Sequence, residues 1–488
     1  MSDDPKRPIL MLLTSHWVSM LGVALVTTAG FSWLFALPTQ LRGHTSNPYI
    51  GIVVFILIPM VLVVGLILIA LGMFLARKRL ERMEKELAIL PNRQTYVRKI
   101  ATFFAVTTAA NIVIGTQGTY RAVQHMETAQ FCGQTCHVMK PEFAAHQNSP
   151  HSRVECVDCH VAPGATGWIA SKVAGTHQFL DVISNRVRRP IESAMEANKL
   201  VPSRLTCEQC HWPQKFDAVK LRVMFHFKDD ATNTQTQTAL MMLTGGGDLG
   251  GIHGKHLGPG VEIHYAATDP ARQTIPWVEY RNRNTGEVQT FVADGSTAQR
   301  VVSLPTQLMQ CVDCHNRPTH TFELPERAVD EAMGLGRISP TLPFVKKKAM
   351  ELLKTNYASN EEAARIIPAK LTDFYRDSYP VVSSQRTSDI SNAGAEIADV
   401  YNRNVFPDLK VTWGTYPNNL GHTDFPGCFR CHDGSHSTLD KKSTITQDCN
   451  TCHEPLAVDE ASPGVLSTLG LADRIASLQK RKAKGPSL

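Results

Sequence analysis

The sequence predicts a mainly α protein in two parts: three transmembrane helices at the N-terminus, then an irregular soluble part that includes a small β insert. Three observations lead there. Apolar stretches at residues 9–37, 50–76 and 100–118 precede everything else. All 12 cysteines then fall into pairs, each pair followed directly by a histidine, over residues 132–453. Between the third and fourth pairs lies a cysteine-free stretch in which polar and apolar residues alternate. A chain of 488 residues has room for several domains. Aromatic residues are only 7% of it, with 32 Gly and 28 Pro, which suits loops whose apolar core comes largely from bound groups. The net charge of +6 is too small and dispersed to argue for nucleic acid.

The cysteine units are Cys132-Cys136-His137, Cys156-Cys159-His160, Cys207-Cys210-His211, Cys311-Cys314-His315, Cys428-Cys431-His432 and Cys449-Cys452-His453. A Cys-x-x-Cys-His unit reads as a haem c attachment site: both thiols join one edge of the porphyrin and the adjacent His binds the iron. Zinc ribbons use cysteine pairs but do not require a His after each, and disulfides would not explain the histidines either. With 19 His in the whole chain, six in that one position are not coincidence. The first unit has three residues between its cysteines instead of two, and the longer loop still spans the ring edge. The expectation is six covalently attached haem c groups, with His137, His160, His211, His315, His432 and His453 as proximal ligands. The fold class is therefore mainly α, with an irregular, haem-packed multihaem cytochrome c domain, three N-terminal transmembrane helices and a small β insert.

The first apolar stretch follows Lys6 and Arg7 and is long enough to cross a bilayer. A signal peptide has a similar start, but its apolar run is shorter and no second span follows it, so a retained anchor is the expectation. The second stretch carries no charge, and Pro59 is placed to kink it. The basic, amphipathic segment at 77–99 goes to the cytoplasm by the positive-inside rule. Three crossings then leave everything after Tyr120 outside, the side on which haem is attached to such motifs. The expected location is the bacterial cytoplasmic (inner) membrane, multi-pass, with the haem domain in the periplasm.

Residues 131–211 carry CHVMKPEF, then Ser149-Pro150-His151, then CVDCHVAPG, then Lys172 and His177, then CEQCH. With the preceding apolar segment, this resembles the NapC/NirT family of membrane-anchored multihaem quinol dehydrogenases, over about residues 100–211. The resemblance implies that quinol (menaquinol) is oxidised at the first haem and that electrons pass to periplasmic multihaem cytochromes or reductases. It implies Met139 as a ligand of the first iron, His151 as a distal ligand of another, His177 as a further ligand, and Lys172 beside the quinol. Thioether ligation raises a haem potential relative to two imidazoles, so a Met-ligated entry haem accepts electrons more readily. Asp181 is a candidate proton acceptor. The chain departs from the family in its three apolar spans, its extra residue in the first motif, and its long insert with further haem motifs. In those respects it is similar to the three-span inner-membrane multihaem cytochromes of metal-reducing bacteria.

Residues 220–227 alternate, and 277–280 with 287–292 form an expected hairpin around Asn284-Thr285-Gly286. The glycine-rich run between these strands does not match a phosphate-binding spacing and is expected to let backbone approach a flat porphyrin. Neutral imidazole is the expected second ligand; the candidates are His253 and His256, then His320, His422 and His436, with His226 and His264 also in reach. Six proximal His leave 13 of the 19, and His16 and His44 flank the membrane, so some of the remaining candidates must serve elsewhere. Six-coordinate irons suit electron transfer rather than substrate chemistry. Residues 323–400 read as a helical packing scaffold. The expected divisions are 1–120 (anchor), 121–211 (three-haem region), 212–310 (β insert supplying distal His), 311–462 (second three-haem region) and 463–488 (basic tail). Partners are the quinol pool, the lipid bilayer and periplasmic redox proteins, and an oligomer is open. Two other function classes remain: a membrane-tethered electron-transfer subunit without its own quinol site, and a terminal reductase with one five-coordinate haem.

Overall fold

The computed structural model describes residues 16–41 and 56–75, isolated positions between 98 and 121, and then 123–135, 137–197, 200–246, 250–296 and 303–482. The expected third span at 100–118 and Cys136 of the first motif lie outside the described residues, apart from single positions of the span. The chain divides into two units, residues 1–137 and 138–488.

In the first unit, α1 (Trp17–Leu41) packs on α2 (Ile58–Leu75). α2 is long and apolar enough to cross a membrane, and is the one such helix among the described residues. Met60, Val63, Ile67 and Phe74 are exposed along it, a surface that only lipid or another apolar partner can cover. A helix satisfies its backbone internally, which is what a bilayer demands. Small residues set the close approach of the pair. A side chain on Gly72 would run into buried Ser19, and one on Gly22 would meet the backbone of Gly65 at 2.6 Å. Small residues at helix crossings are typical of membrane packing, where close van der Waals contact replaces a hydrophobic drive.

The second unit opens with three helices, α3 (Lys140–Gln147), α4 (Cys156–His160) and α5 (Ala165–Ile183). The insert follows as β1 (Lys220–Phe227), β2 (Gln235–Met242), α6 (Gly251–Leu257), β3 (Val261–Ala266), β4 (Trp277–Asn282), β5 (Glu287–Ala293) and β6 (Thr306–Leu308). The expected hairpin is present, with Trp277 opposite Val292 and Asn282 opposite Glu287. Then come α7 (Pro325–Gly334), α8 (Val345–Leu353), α9 (Asn360–Ser378), α10 (Pro380–Gln385) and α11 (Thr387–Asn404). Two late strands, β7 (His436–Ser437) and β8 (His453–Glu460), join the sheets, and α12 (Ala472–Lys482) ends the described chain. One sheet has the order β1-β2-β8 and the other β6-β3-β4-β5-β7. The insert and the last two motifs are thus stitched together: β8 begins with His453, which pairs in register with Met242.

The helical region has a core of its own, in keeping with the expected packing scaffold at 323–400. Val329, Ala332 and Met333 of α7, Ala349 of α8, Ile367 and Leu371 of α9, and Ala393 and Ile397 of α11 are fully buried together. Their spacing of three and four residues turns one face of each helix inward. Pro368 lies inside α9, and Gly394 of α11 leaves room for it; a Cβ there would meet the Pro368 Cα at 2.9 Å. Ser359 caps α9 by accepting from the Glu362 amide at 3.2 Å. Lys346 of α8 is buried and pairs with Asp330 of α7 at 2.5 Å. The expected tail is packed where it starts, since Leu466 is buried against Ala239 and Ala457. Replacing Leu371 by Ala is expected to lower stability by ~2–5 kcal/mol, read as a lower chemical-denaturation midpoint in far-ultraviolet circular dichroism.

Candidate functional site

Each motif in the second unit is a single helical turn. The amide of the motif His donates to the carbonyl of the first Cys: His211 to Cys207 at 2.8 Å, His315 to Cys311 at 2.8 Å and His432 to Cys428 at 3.0 Å. Residues three and four apart share a helix face, so one turn aims both thiols and the imidazole the same way. Acidic residues inside the motifs hold the turns. Asp158 accepts from the Glu155 amide at 3.2 Å and Asp313 from the Gln310 amide at 2.7 Å. Cys159 and the cysteines of the last four motifs form no disulfides with one another. In the first motif, residues 131–135 form one wider turn.

Five motif histidines each face a second histidine. The ring centres are 6.2 Å apart for His160 and His320, 5.9 Å for His211 and His151, and 6.2 Å for His315 and His253. They are 5.8 Å apart for His432 and His256, and 6.2 Å for His453 and His422. Two imidazoles bound to one metal through bonds of ~2 Å put their ring centres about 6 Å apart. Among the described residues no cluster of three or more His, Cys, Asp or Glu converges on one point. Each pair therefore offers two donors only. That does not suit a four-ligand zinc site, and it fits an iron whose other four ligands come from a porphyrin.

Backbone carbonyls orient these rings. Thr244 accepts from Nδ1 of His253 at 2.9 Å, Ile252 from Nδ1 of His256 at 2.7 Å, Glu142 from Nδ1 of His320 at 3.0 Å, and Thr446 from Nδ1 of His432 at 2.8 Å. A carbonyl only accepts, so the proton sits on Nδ1 and Nε2 is left to bind metal. Burial lowers the pKa of His160, His256 and His315, and takes His320 down to about 4. All four are neutral, the form that coordinates iron. His253 and His256 lie one turn apart on α6, so one short helix serves both the fourth and the fifth motif. The glycines where the chain enters α6 serve the turn there. Gly245, Gly250 and Gly251 adopt left-handed φ, and a Cβ on Gly245 would strike the Gly250 carbonyl.

From the second to the sixth, motifs that are neighbours in the sequence are neighbours in space. Burial raises the pKa of the Cys159 thiol, and nearby Cys207 and Cys210 raise it further. Cys311 donates to the Cys207 sulfur, which holds the Cys311 thiol well above its ordinary range. Burial pushes Cys431 up to about 12, with Cys314 and Cys428 close by. Cys452 is raised by burial and then by Cys428. The cysteines of each of these motifs thus lie near those of the next.

The match to known proteins agrees with this geometry. The model of the NapC/NirT cytochrome c family, N-terminal region, matches residues 94–201. The chain is also 37% identical over 447 residues, 90% of this chain and 87% of the relative, to the cytochrome c-type protein ImcH of Geobacter sulfurreducens. The chain belongs to the NapC/NirT cytochrome c family. As a member it is a membrane-type multihaem c-type cytochrome, binding haem c covalently and transferring electrons. No solved structure matches it.

The family-derived positions are placed as follows. Met139 is half-buried at the end of the turn His137–Met139. Lys172 lies on α5, with Nζ 5.2 Å from the centre of the Trp168 ring. Trp168, Ile169, Val173, Leu180 and Ile183 are all exposed on the same side of α5 as Lys172. At 3.6 residues per turn, Asp181 and His177 fall on the opposite, polar side, so Lys172 and Asp181 do not converge. Among the described residues no motif His faces His177. His436 is used differently from the expectation. It is buried, with one ring nitrogen 2.7 Å from the Ile275 carbonyl and the other 3.2 Å from Asp433, so its ring braces β7. His226 is exposed on β1, and His264 lies 3.8 Å from Glu262. Sequence reasoning missed Phe429, inside the fifth motif, which stacks on His422 with ring centres 4.2 Å apart. Its signal is only that the residue between the two cysteines is aromatic. Replacing Cys428 and Cys431 together by Ala is expected to remove one covalent haem, read as one haem mass lost in denaturing mass spectrometry.

Proposed function

We propose that this cytochrome is a quinol dehydrogenase of the bacterial inner membrane. It carries six haem c groups, oxidises menaquinol at the periplasmic face, and delivers electrons to periplasmic cytochromes or reductases in anaerobic or extracellular respiration. The observation that carries the reading is the set of five facing histidine pairs, spaced for one iron each. With both axial positions furnished by protein, such sites suit electron transfer and leave none for substrate. Substrate oxidation is accordingly assigned to the first motif, which follows the apolar anchor segments in the sequence.

The residues divide the work. His160 with His320, His211 with His151, His315 with His253, His432 with His256, and His453 with His422 hold five irons; His137 and Met139 hold the first. Bound haem c supplies one-electron iron chemistry. Quinol gives up two electrons and two protons, so the chain must also receive protons. Lys172 lies among the exposed apolar residues of α5, a surface suited to a lipid-soluble quinol. Its cation favours loss of the proton from a quinol hydroxyl nearby, and that proton passes to water at the helix surface; Asp181, on the opposite side of the helix, does not take it directly. Three N-terminal spans with a cytoplasmic N-terminus complete the reading, and put the haem domain in the periplasm.

In detergent, a menaquinol analogue is expected to reduce the wild type, and Lys172→Ala to slow that reduction about tenfold, ~1.4 kcal/mol, at unchanged haem content. Reduction by dithionite but not by the quinol would leave a tethered subunit that draws electrons from another complex. His256→Ala should keep six covalent haems but turn one of them high-spin, seen in electron paramagnetic resonance.

A further inference from the structure

The fourth and fifth attachment loops carry opposite charges at the same place. Asp313 precedes the second cysteine in Cys311-Val312-Asp313-Cys314, and Arg430 does so in Cys428-Phe429-Arg430-Cys431. Both are buried. The Arg430 guanidinium donates to three carbonyls: Gly427 at 2.8 Å, Arg272 at 2.9 Å and Asp313 at 2.6 Å. The Asp313 carboxylate takes Arg272 and the Tyr265 hydroxyl, each at 2.5 Å. Asn419 donates to the same Asp313 carbonyl at 3.1 Å.

The charges do not cancel. Asp313 is matched by Arg272, whereas every hydrogen bond of Arg430 goes to a neutral carbonyl. The nearby Asp433 is partly exposed and bonded to Ser435 and His436 instead. Among the described residues one buried positive charge is left between the two attachment loops, on the residue next to Cys431 and hydrogen-bonded to the carbonyl of the residue next to Cys314. Reducing an iron from ferric to ferrous adds one electron, drawn from the donor, and so one negative charge. A buried cation favours that state, and low dielectric strengthens the effect.

We propose that Arg430 is a positioning residue that ties the fourth and fifth haem-attachment loops together and, as an uncompensated buried cation, raises the reduction potential of the groups they carry. This rests on the six-haem reading above. The test is a potentiometric titration of the full-length protein in detergent, with haem counted for each variant. In Arg430→Gln, at least one midpoint should fall by an amount equal to about a tenfold change in the ferrous-to-ferric ratio, ~59 mV for one electron. In Arg430→Lys the charge stays and the three-way tie is lost, so the midpoints should stay while the denaturation midpoint falls. Asp313→Asn removes a negative charge and should raise a midpoint, which keeps the question answerable if Arg430→Gln does not mature. Unchanged midpoints in Arg430→Gln, equal shifts in the Gln and Lys variants, or no rise in Asp313→Asn would overturn the proposal. Fewer than six haems in the wild type would instead overturn the reading it rests on.

Discussion

Two imidazoles held about 6 Å apart are the constraint on which the second unit depends. Each pair draws its rings from different parts of the chain: His160 from α4 meets His320 after the fourth motif, and His256 from α6 meets His432. A tie of this kind acts over long sequence distance with only two side chains, and the iron that fits between them is bound through covalently anchored porphyrin. The loops around the motifs therefore need little apolar core. They need their rings aimed, which the carbonyls of Thr244, Ile252, Glu142 and Thr446 do.

The helical region from α7 to α11 follows other physics. It has no cysteine, and it buries an apolar core to completion. Its helices form because their apolar residues recur at three and four positions, and they pack because Gly394 admits Pro368 and because Asp330 neutralises the buried Lys346. α7 also lies against β1, and a side chain at Gly334 would collide with Phe225. A hydrophobic scaffold thus braces one edge of the region ordered by ligand pairs.

The two units expose different surfaces. α2 presents uncharged apolar side chains outward and approaches α1 through glycines, a pattern that suits lipid. In the second unit α5 leaves apolar residues exposed around Lys172, while the attachment loops bury charged groups that are hydrogen-bonded throughout.

The sequence by itself determined what depends on spacing and composition. The cysteine pairs with their histidines name the cofactor, because thioether attachment needs those residues in that order. Alternation sets the strands at 220–227 and the hairpin at 277–293, and the family signature is carried by CHVMKPEF, His151 and Lys172. The tertiary structure decided the rest. Which histidine faces which could not be read locally, since His151, His253, His256, His320, His422 and His436 look alike in sequence. Only the fold brings five of them opposite motif rings and turns His436 to the Ile275 carbonyl. The link between Asp313 and Arg430 was equally hidden: a charge inside a motif loop says nothing of its partner until two loops far apart in the chain meet in space.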